Sequence, residues 1–413
     1  MLVLKFLLIS IIICIDAKPN FVFILTDDQD LRLNSMTVMD KTLELVGAKG
    51  KTFENAFVSS PICCPSRSTI LTGKYAHNTG VVNNSISGNC SSVYWQQNSE
   101  PYSVANLLKK RGLHHVLRWK VSKRSKNRVM VRKRVEAKNT YRRATTGGSA
   151  LEGNSKYYNY NISVNGTGVY HEDDYLTDLL ADHSLDFLRN RDTSGPFFMT
   201  VATPAAHAPF TPANRHNDSF PDLKALRNPS FNYSSTDKHW LIQMPPKHLP
   251  EDVTILDNVY RNRQETLLAV DEMVERIVKK LEDLEILDET YIIFSSDNGF
   301  HIGQFTQPWD KREPYETDIR IPLLISGPGV PANVSDRHPF TAIDIAPTIL
   351  DLAGISVPSY MDGTSLKDVL LSDEAGSIAK HIFVEYWGEG SPRTVEKSCP
   401  WEYDDENLAV SVL

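Results

Sequence analysis

The chain has 413 residues, of which 41% are hydrophobic and 23% are charged, a composition typical of globular proteins with a large core. Its 44 Lys and Arg residues stand against 51 Asp and Glu residues, and the net charge of -7 argues against a nucleic-acid-binding protein. The only long apolar run lies at the N-terminus, which excludes a membrane protein with several spans. We therefore expect a globular protein with no nucleic-acid partner and no membrane span.

Residues 1–17 have the layout of a secretory signal peptide. Lys5 precedes an apolar run over residues 6–14, which is too short for a comfortable membrane span, and the small residue Ala17 precedes a polar stretch. This layout predicts entry into the secretory pathway. Seven Asn-x-Ser/Thr sequons agree with that route and are the predicted glycosylation sites: Asn83, Asn89, Asn161, Asn165, Asn217, Asn232 and Asn333.

Short apolar runs alternate with helical patterns along the chain, which predicts an α/β fold with a large, mostly parallel central sheet between helices. The predicted strands cover residues 21–25, 197–201, 291–294 and 321–325, and the predicted helices cover residues 175–188 and 267–284.

Polar residues follow two of the predicted strands. Asp27 and Asp28 come after the first strand, and Asp297 and Asn298 come after the strand at 291–294. Ligands of such sheets bind beyond the carboxyl ends of the strands, so we expect these four side chains at a functional site.

The sharpest local signal is Cys-Cys-Pro-Ser-Arg over residues 63–67, followed by Leu-Thr-Gly-Lys. Pro65 suits a first helical position and Gly73 can close the helix, which places Cys63 at or just before the helix N-terminus. Unpaired amides there favour an anion, and Arg67 adds a positive charge. We therefore expect Cys63 to be an activated nucleophile.

This motif resembles the signature of the sulfatase family, in which the first cysteine is oxidised to formylglycine. The resemblance implies an alkaline-phosphatase-like sandwich and identifies Cys63, not Cys64, as the modified residue. It also implies a formylglycine-generating enzyme as a partner during maturation. Residues 18–390 would form the catalytic domain.

The resemblance also implies the remaining site residues. Asp27, Asp28, Asp297 and Asn298 match the family's calcium ligands, and a hard dication prefers such carboxylate and amide oxygens. The residues implied to contact substrate or to act in catalysis are Arg67, which would position the nucleophile, His207 and Lys311, with Lys74 and His301 as further substrate-binding candidates.

Longer matches resemble the branch of the family that acts on sulfated glucosamine, through Gly-Lys-Tyr-Ala-His-Asn at residues 73–78 and Lys-His-Trp at residues 238–240. The implied substrate is the 6-sulfate of terminal N-acetylglucosamine in heparan or keratan sulfate glycosaminoglycans, and the implied destination is the lysosome, with secretion as the alternative. Two other functions stay open: an extracellular endosulfatase that acts on heparan sulfate, and an inactive secreted pseudo-sulfatase that binds sulfated glycans.

Two segments depart from the family pattern. Residues 117–143 carry a dense Lys/Arg run with almost no apolar period, which at face value is a solvated basic loop. Codons allowed for residues 116–124, read one base later, can encode Phe-Phe-Ala-Gly-Lys-Tyr-Leu-Asn-Glu, the sequence the family has there, so we expect residues 113–150 to be an aberrant, frame-shifted segment of the gene model. Residues 391–413 are expected to be a divergent tail in place of the family's C-terminal subdomain, which would be truncated.

Overall fold

The computed structural model describes residues 18–120, 147–151, 153, 155–240, 242–243, 245–373, 380–388 and 410–411. The predicted signal peptide at residues 1–17 lies outside the described residues, as do most of the basic run and nearly all of the predicted tail. No helix in the described part of the chain is long and apolar enough to cross a membrane.

The strands of the described residues are numbered in chain order. They are β1 (Asn20–Thr26), β2 (Gly50–Phe53), β3 (Ala56–Phe57), β4 (His114–Lys120), β5 (Gly147–Leu151), β6 (Tyr160–Val164), β7 (Thr167–His171), β8 (Phe197–Ala202), β9 (Thr290–Ser296), β10 (His301–Ile302), β11 (Trp309–Asp310), β12 (Leu323–Ser326), β13 (Val334–Asp336), β14 (Phe340–Thr341), β15 (Glu385–Tyr386) and β16 (Val410–Ser411).

The α-helices of the described residues follow the same convention. They are α1 (Asp40–Thr42), α2 (Cys63–Thr72), α3 (Ala76–Thr79), α4 (Val93–Asn98), α5 (Val104–Lys110), α6 (Leu176–Asn190), α7 (Thr254–Asp283), α8 (Glu316–Ile319), α9 (Ile345–Leu352) and α10 (Lys367–Leu371).

Ten of these strands form one sheet in the order β13-β2-β12-β9-β1-β8-β4-β5-β6-β7. Its centre is parallel, because β1 pairs in parallel with β8 and β9, and β4 pairs in parallel with β8 and β5. Strand β12 pairs antiparallel with both of its neighbours. The register places Thr26 opposite Ser296 and Leu25 opposite Ala202, so β1, β9 and β8 end at the same edge of the sheet.

Helices cover both faces of the sheet. Side chains of β1 point alternately to one face and to the other, and each set packs against a different group of helices. Phe21, Phe23 and Leu25 are buried in a hydrophobic cluster with residues of α2, α5 and α9. Val22 and Ile24 point the other way, into a cluster with residues of α6 and α7. A strand buried on both faces reads as a continuous apolar run, and the predicted α/β sandwich is confirmed.

Two elements differ from their predicted extent. Helix α7 begins at Thr254, well before the predicted start at residue 267, because Leu256, Val259 and Tyr260 continue its buried face toward the N-terminus. Residues 117–120, which were expected to begin a solvated loop, belong to β4 inside the sheet. Main-chain hydrogen bonds hold this strand: the amide of His114 donates to the carbonyl of Pro196 at 2.9 Å, where β4 meets β8.

Candidate active site

The ends of β1 and β9 bring four predicted side chains together. Asp27, Asp28, Asp297 and Asn298 are fully buried, and the amide of Asp28 donates to Oδ1 of Asp297 at 3.0 Å. A Cβ atom on Gly299 would lie 2.0 Å from the carbonyl oxygen of Thr317, so only glycine allows this close backbone approach. Parallel pairing of two strands thus gathers polar residues that are far apart in the sequence.

Helix α2 carries Cys63 to this edge of the sheet. The helix begins at Cys63 and ends at Gly73, whose φ of 66° is the left-handed conformation of a helix C-cap, as predicted. The Sγ atom of Cys63 lies 3.6 Å from Oδ1 of Asp27 and 3.9 Å from Oδ1 of Asp28. Asn84 accepts a hydrogen bond from the amide of Cys64 at 2.8 Å, which satisfies one of the unpaired donors at the helix N-terminus.

Two cations neutralise part of the acidic cluster. Arg67 donates from Nε to Oδ2 of Asp297 at 2.7 Å, and its Nη2 lies 3.1 Å from Oδ2 of Asp27. Lys311 donates from Nζ to Oδ2 of Asp28 at 2.9 Å. Both cations are buried, so these are desolvated ion pairs rather than surface contacts. Arg67 therefore locks α2 onto the two strand ends.

His207 approaches the cluster from the loop after β8. Its Nε2 lies 3.8 Å from Oδ2 of Asp28, and its Nδ1 lies 2.7 Å from the carbonyl oxygen of Ala208. Because a carbonyl only accepts, Nδ1 carries a proton here and donates it, and the ring is oriented with Nε2 toward Asp28. The hydroxyl of Tyr157 donates to the backbone carbonyl of His207 at 2.7 Å and helps hold the loop.

The electrostatics of the pocket favour added positive charge. Burial raises the pKa of Asp297 to about 7; Arg67 opposes this shift, and the charges of Asp27 and Asp28 add to it. Burial and the same carboxylates raise the pKa of the Cys63 thiol well above its usual range. Burial is the largest cause of this shift, and the positive charge of Lys311 opposes it.

The same residues fit a divalent cation. Carboxylate oxygens of Asp27, Asp28 and Asp297 all lie within 4.8 Å of one another. The Oδ1 atom of Asn298 is buried and accepts no hydrogen bond from any described residue, while its Nδ2 donates to Oδ1 of Asp28 at 2.8 Å. A buried amide oxygen beside three carboxylates is a donor set suited to a hard dication.

His301 and Lys74 are placed differently. The Nδ1 atom of the buried His301 lies 3.0 Å from Oδ2 of Asp318, and His301 pairs across β10 and β11 with Asp310, next to Lys311. Lys74 follows the C-terminus of α2, and a ten-residue helix separates its backbone from Cys63 by about 15 Å at 1.5 Å per residue. The structure thus connects His301 to the residue that precedes Lys311 and places the backbone of Lys74 at the opposite end of α2 from Cys63.

Sequence reasoning missed two contributors to the site. Cys64, next to the predicted nucleophile, forms a disulfide with Cys90. The other is Arg263 of α7, which is buried and donates from Nη2 to the carbonyl of Asp28 at 2.6 Å and to Oδ1 of Asp30 at 3.0 Å. Its position on the buried face of α7 was a usable signal, since a charge at that helical spacing needs a partner.

Replacing Arg263 by methionine is expected to destabilise the protein by about 3 kcal/mol or more, because it leaves the buried carboxylate of Asp30 without its cation. The matched control is Arg261→Met on the same helix. Within the described part of the chain the Arg261 guanidinium bonds to the carbonyl of Pro221 and to Asn258, and its loss should cost less than about 1 kcal/mol. Denaturant unfolding of both variants tests this. Equal losses of stability would contradict the assigned role of Arg263.

The predicted glycosylation sites differ in exposure. Asn83 is buried, and its Nδ2, the atom that would carry a glycan, donates to the carbonyl of Gly388 at 3.2 Å. The Nδ2 of Asn89 donates to the carbonyl of Gly80 at 2.7 Å. The other five sequon asparagines are exposed: Asn161, Asn165, Asn217, Asn232 and Asn333.

We therefore expect peptide mapping by mass spectrometry to find glycans at the five exposed sequons and none at Asn83. The reason is that a sugar on the Asn83 side chain would have to displace the neighbouring chain at Gly388. High occupancy at Asn83 in the folded, secreted protein would show that the 83–88 loop is packed differently.

The chain belongs to the sulfatase family, whose model matches residues 19–355. It is a sulfuric ester hydrolase, and the predicted enzyme class and family are confirmed.

Two curated relatives show which sulfatases the chain resembles in sequence. The chain is 43% identical over 401 residues to N-acetylglucosamine-6-sulfatase of Homo sapiens, covering 93% of this chain and 70% of the relative. It is 36% identical over 365 residues to an extracellular sulfatase SULF-1 homolog of Drosophila melanogaster, covering 86% of this chain and 32% of that relative.

The solved structure of a protein in complex with its substrate D-glucosamine-2-N,6-O-disulfate gives a TM-score of 0.72 at 24% identity, covering 91% of this chain and 85% of that one. This likeness confirms the predicted fold.

Proposed function

We propose that this sulfatase removes the 6-sulfate of N-acetylglucosamine at the terminus of heparan or keratan sulfate chains. One observation carries the proposal: Cys63, at the N-terminus of α2, faces the carboxylates of Asp27 and Asp28, with Lys311 and His207 against the same cluster. The 43% identity to N-acetylglucosamine-6-sulfatase, over 93% of the chain, supports the substrate class.

The proposed metal is Ca²⁺, held by Asp27, Asp28, Asp297 and Asn298. The buried Oδ1 of Asn298 and the three clustered carboxylates support a hard oxygen-bound cation over Zn²⁺, which prefers nitrogen and sulfur ligands. When bound, Ca²⁺ would supply charge that favours sulfate oxygens and that makes a hydroxyl at residue 63 more acidic.

The proposed nucleophile is the formylglycine formed from Cys63, which hydrates to a geminal diol. One hydroxyl attacks sulfur, the bond between sulfur and the sugar oxygen breaks, and the sulfate is left esterified to residue 63. The second hydroxyl then loses its proton, the aldehyde re-forms, and inorganic sulfate leaves. Serine could perform the attack but lacks the second hydroxyl needed for the elimination.

The neighbouring side chains have distinct proposed roles. Arg67, fixed by Asp297 and Asp27, positions residue 63 at the helix N-terminus. Lys311 places its positive charge where the sulfate oxygens become more negative in the transition state. His207 protonates the leaving sugar oxygen from Nε2; since Nδ1 already donates to Ala208, the ring must be the imidazolium to deliver that proton.

The proposed maturation and compartment of the protein follow from the proposed nucleophile and the predicted signal peptide. A formylglycine-generating enzyme would convert Cys63 during passage through the secretory pathway, with the lysosome as the destination and secretion as the alternative. The Drosophila melanogaster relative is named as an extracellular sulfatase, which supports the secretory route.

The test compares sulfate release from heparan oligosaccharides that carry one 6-sulfated glucosamine, either at the non-reducing terminus or inside the chain. The full chain with converted Cys63 is expected to release sulfate from the terminal position only, and a matched Cys63→Ala protein is expected to release none. Release from internal positions would replace the proposal with endosulfatase action. Heparin binding without release from either oligosaccharide would favour a glycan-binding pseudo-sulfatase.

A further inference from the structure

A second set of metal-ligating atoms overlaps the proposed calcium site. A carboxylate oxygen of Asp27, the Sγ of Cys63 and an imidazole nitrogen of His207 all lie within 4.8 Å of one another. They come from three different elements: the end of β1, the first residue of α2, and the loop after β8. One oxygen, one sulfur and one nitrogen donor make a different chemistry from the all-oxygen set around Asn298.

We propose that the chain binds Zn²⁺ through Asp27, Cys63 and His207 for as long as residue 63 remains a cysteine. Such a three-ligand set leaves a fourth tetrahedral position for water, as in open zinc sites. On binding, the thiol proton leaves to solvent and the thiolate bonds to the metal; no oxidation or reduction takes place. This inference goes beyond the proposed function and concerns the chain before conversion.

The distances suit this coordination. Zinc bonds of about 2.3 Å to sulfur and about 2.0 Å to oxygen, at the tetrahedral angle, separate the two ligand atoms by about 3.5 Å. The Sγ of Cys63 lies 3.6 Å from Oδ1 of Asp27. The site therefore needs almost no movement of these two side chains to hold the metal.

His207 is oriented as a metal ligand. Its Nδ1 donates to the carbonyl of Ala208 at 2.7 Å, which leaves Nε2 as the ligating nitrogen. A backbone carbonyl on the far ring nitrogen is the usual partner that fixes the tautomer and the ring orientation of a metal-bound histidine. Tyr157 donates a hydrogen bond to the backbone carbonyl of His207 and so helps to hold the main chain that carries this ring.

The charge of the pocket also fits. When all three are ionised, the carboxylates of Asp27, Asp28 and Asp297 exceed the two cations, Arg67 and Lys311, by one negative charge. Zinc adds two positive charges and the lost thiol proton removes one, so the zinc–thiolate pocket is neutral. Conversion of Cys63 removes the sulfur and leaves the imidazole of His207 among hard oxygen donors, so the chemistry of residue 63 influences which class of metal the pocket prefers.

Cobalt titration of the full chain tests this inference. The protein is made in a host without the formylglycine-generating enzyme, and Co²⁺ serves as a spectroscopic substitute for Zn²⁺. We expect one Co²⁺ per chain, with near-ultraviolet thiolate-to-cobalt absorption and the strong visible bands of four-coordinate cobalt, and we expect one equivalent of Zn²⁺ to abolish both. A converted chain should show no thiolate-to-cobalt absorption.

Variants assign the ligands. Cys63→Ala should abolish the thiolate absorption, and His207→Ala should weaken cobalt binding at least about tenfold, the scale of loss for even indirect contacts to a metal. The control His216→Ala alters a histidine paired with Glu272 away from the site and should bind cobalt normally. Zn²⁺ should also protect the Cys63 thiol of the unaltered chain from iodoacetamide, a measurement that depends on no variant.

Two results would overturn the inference. One is the absence of thiolate-to-cobalt absorption and of protection while Cys63 is a free thiol. The other is absorption that persists in Cys63→Ala, which would assign the metal to another cysteine such as Cys399. A converted chain without sulfatase activity would contradict the proposed function and leave the zinc result unaffected.

Discussion

A Cys63→Ser variant is expected to release about one equivalent of desulfated sugar and then stop. Serine can attack sulfur, but the resulting sulfate ester has no second hydroxyl to expel sulfate. The steady-state rate should fall by about 10⁶-fold, the scale of loss when a catalytic nucleophile is removed. Rapid-quench kinetics measure the initial release, and mass spectrometry of the peptide that carries residue 63 detects the trapped sulfate ester.

The matched control is Cys63→Ala, which should show neither the initial release nor the trapped ester. Both variants leave the contact between Arg67 and Asp297 intact, so their thermal unfolding should resemble that of the parent. Sustained turnover by Cys63→Ser would mean that residue 63 does not eliminate sulfate and that the diol mechanism is wrong.

Replacing Asp297 by alanine is expected to remove both metal binding and much of the stability of the protein. Asp297 accepts hydrogen bonds from the amide of Asp28 and from Nε of Arg67, so its loss leaves the buried Arg67 short of a partner at a cost of about 3–5 kcal/mol. Calorimetric titration with Ca²⁺ should show binding weakened by about 100-fold or more.

Thermal unfolding with and without Ca²⁺ gives an independent measurement. Calcium at 100 times the dissociation constant of the parent should stabilise the parent by about 2.7 kcal/mol, and it should stabilise Asp297→Ala by no more than about 0.4 kcal/mol. Asp288→Ala, an exposed carboxylate outside the cluster, should respond to calcium as the parent does. Full calcium occupancy in Asp297→Ala would show that the metal is held elsewhere.

The positions of the site residues at the ends of β1 and β9 could be predicted from the sequence for two reasons. Uninterrupted apolar runs indicate strands buried on both faces, and parallel strands bring their carboxyl ends to one edge. Asp27 and Asp297 are therefore expected to meet although 270 residues separate them. Likewise Pro65 and Gly73 mark the ends of α2 closely enough to place Cys63 at its N-terminus.

The partners of buried charges could not be predicted in the same way. Arg263 lies before the predicted start of its helix at residue 267. Even with the full helix known, periodicity does not identify Asp30 and the carbonyl of Asp28 as its partners, because those contacts depend on how the helix packs across the sheet. The pairing of Cys64 with Cys90 likewise depends on how the 83–90 segment folds back against α2.

The predicted substrate-binding role of Lys74 stays a prediction. The lysine belongs to the same motif as Cys63, yet α2 is a rigid spacer and carries the two residues to opposite ends. Residues 117–120 begin the Lys/Arg-rich run that at face value indicates a loop, whereas their pairing with β8 and β5 is made by the main chain. We propose that segment 113–150 is frame-shifted, and a transcript that encodes residues 120–143 as written would refute this.

The mass of the peptide that contains residue 63, measured on active protein from a host that has the formylglycine-generating enzyme, tests directly whether formylglycine is the nucleophile. We expect the aldehyde at residue 63, at a level that rises with the specific activity on N-acetylglucosamine 6-sulfate from one preparation to the next. A preparation that hydrolyses this substrate while residue 63 remains entirely a thiol would contradict it.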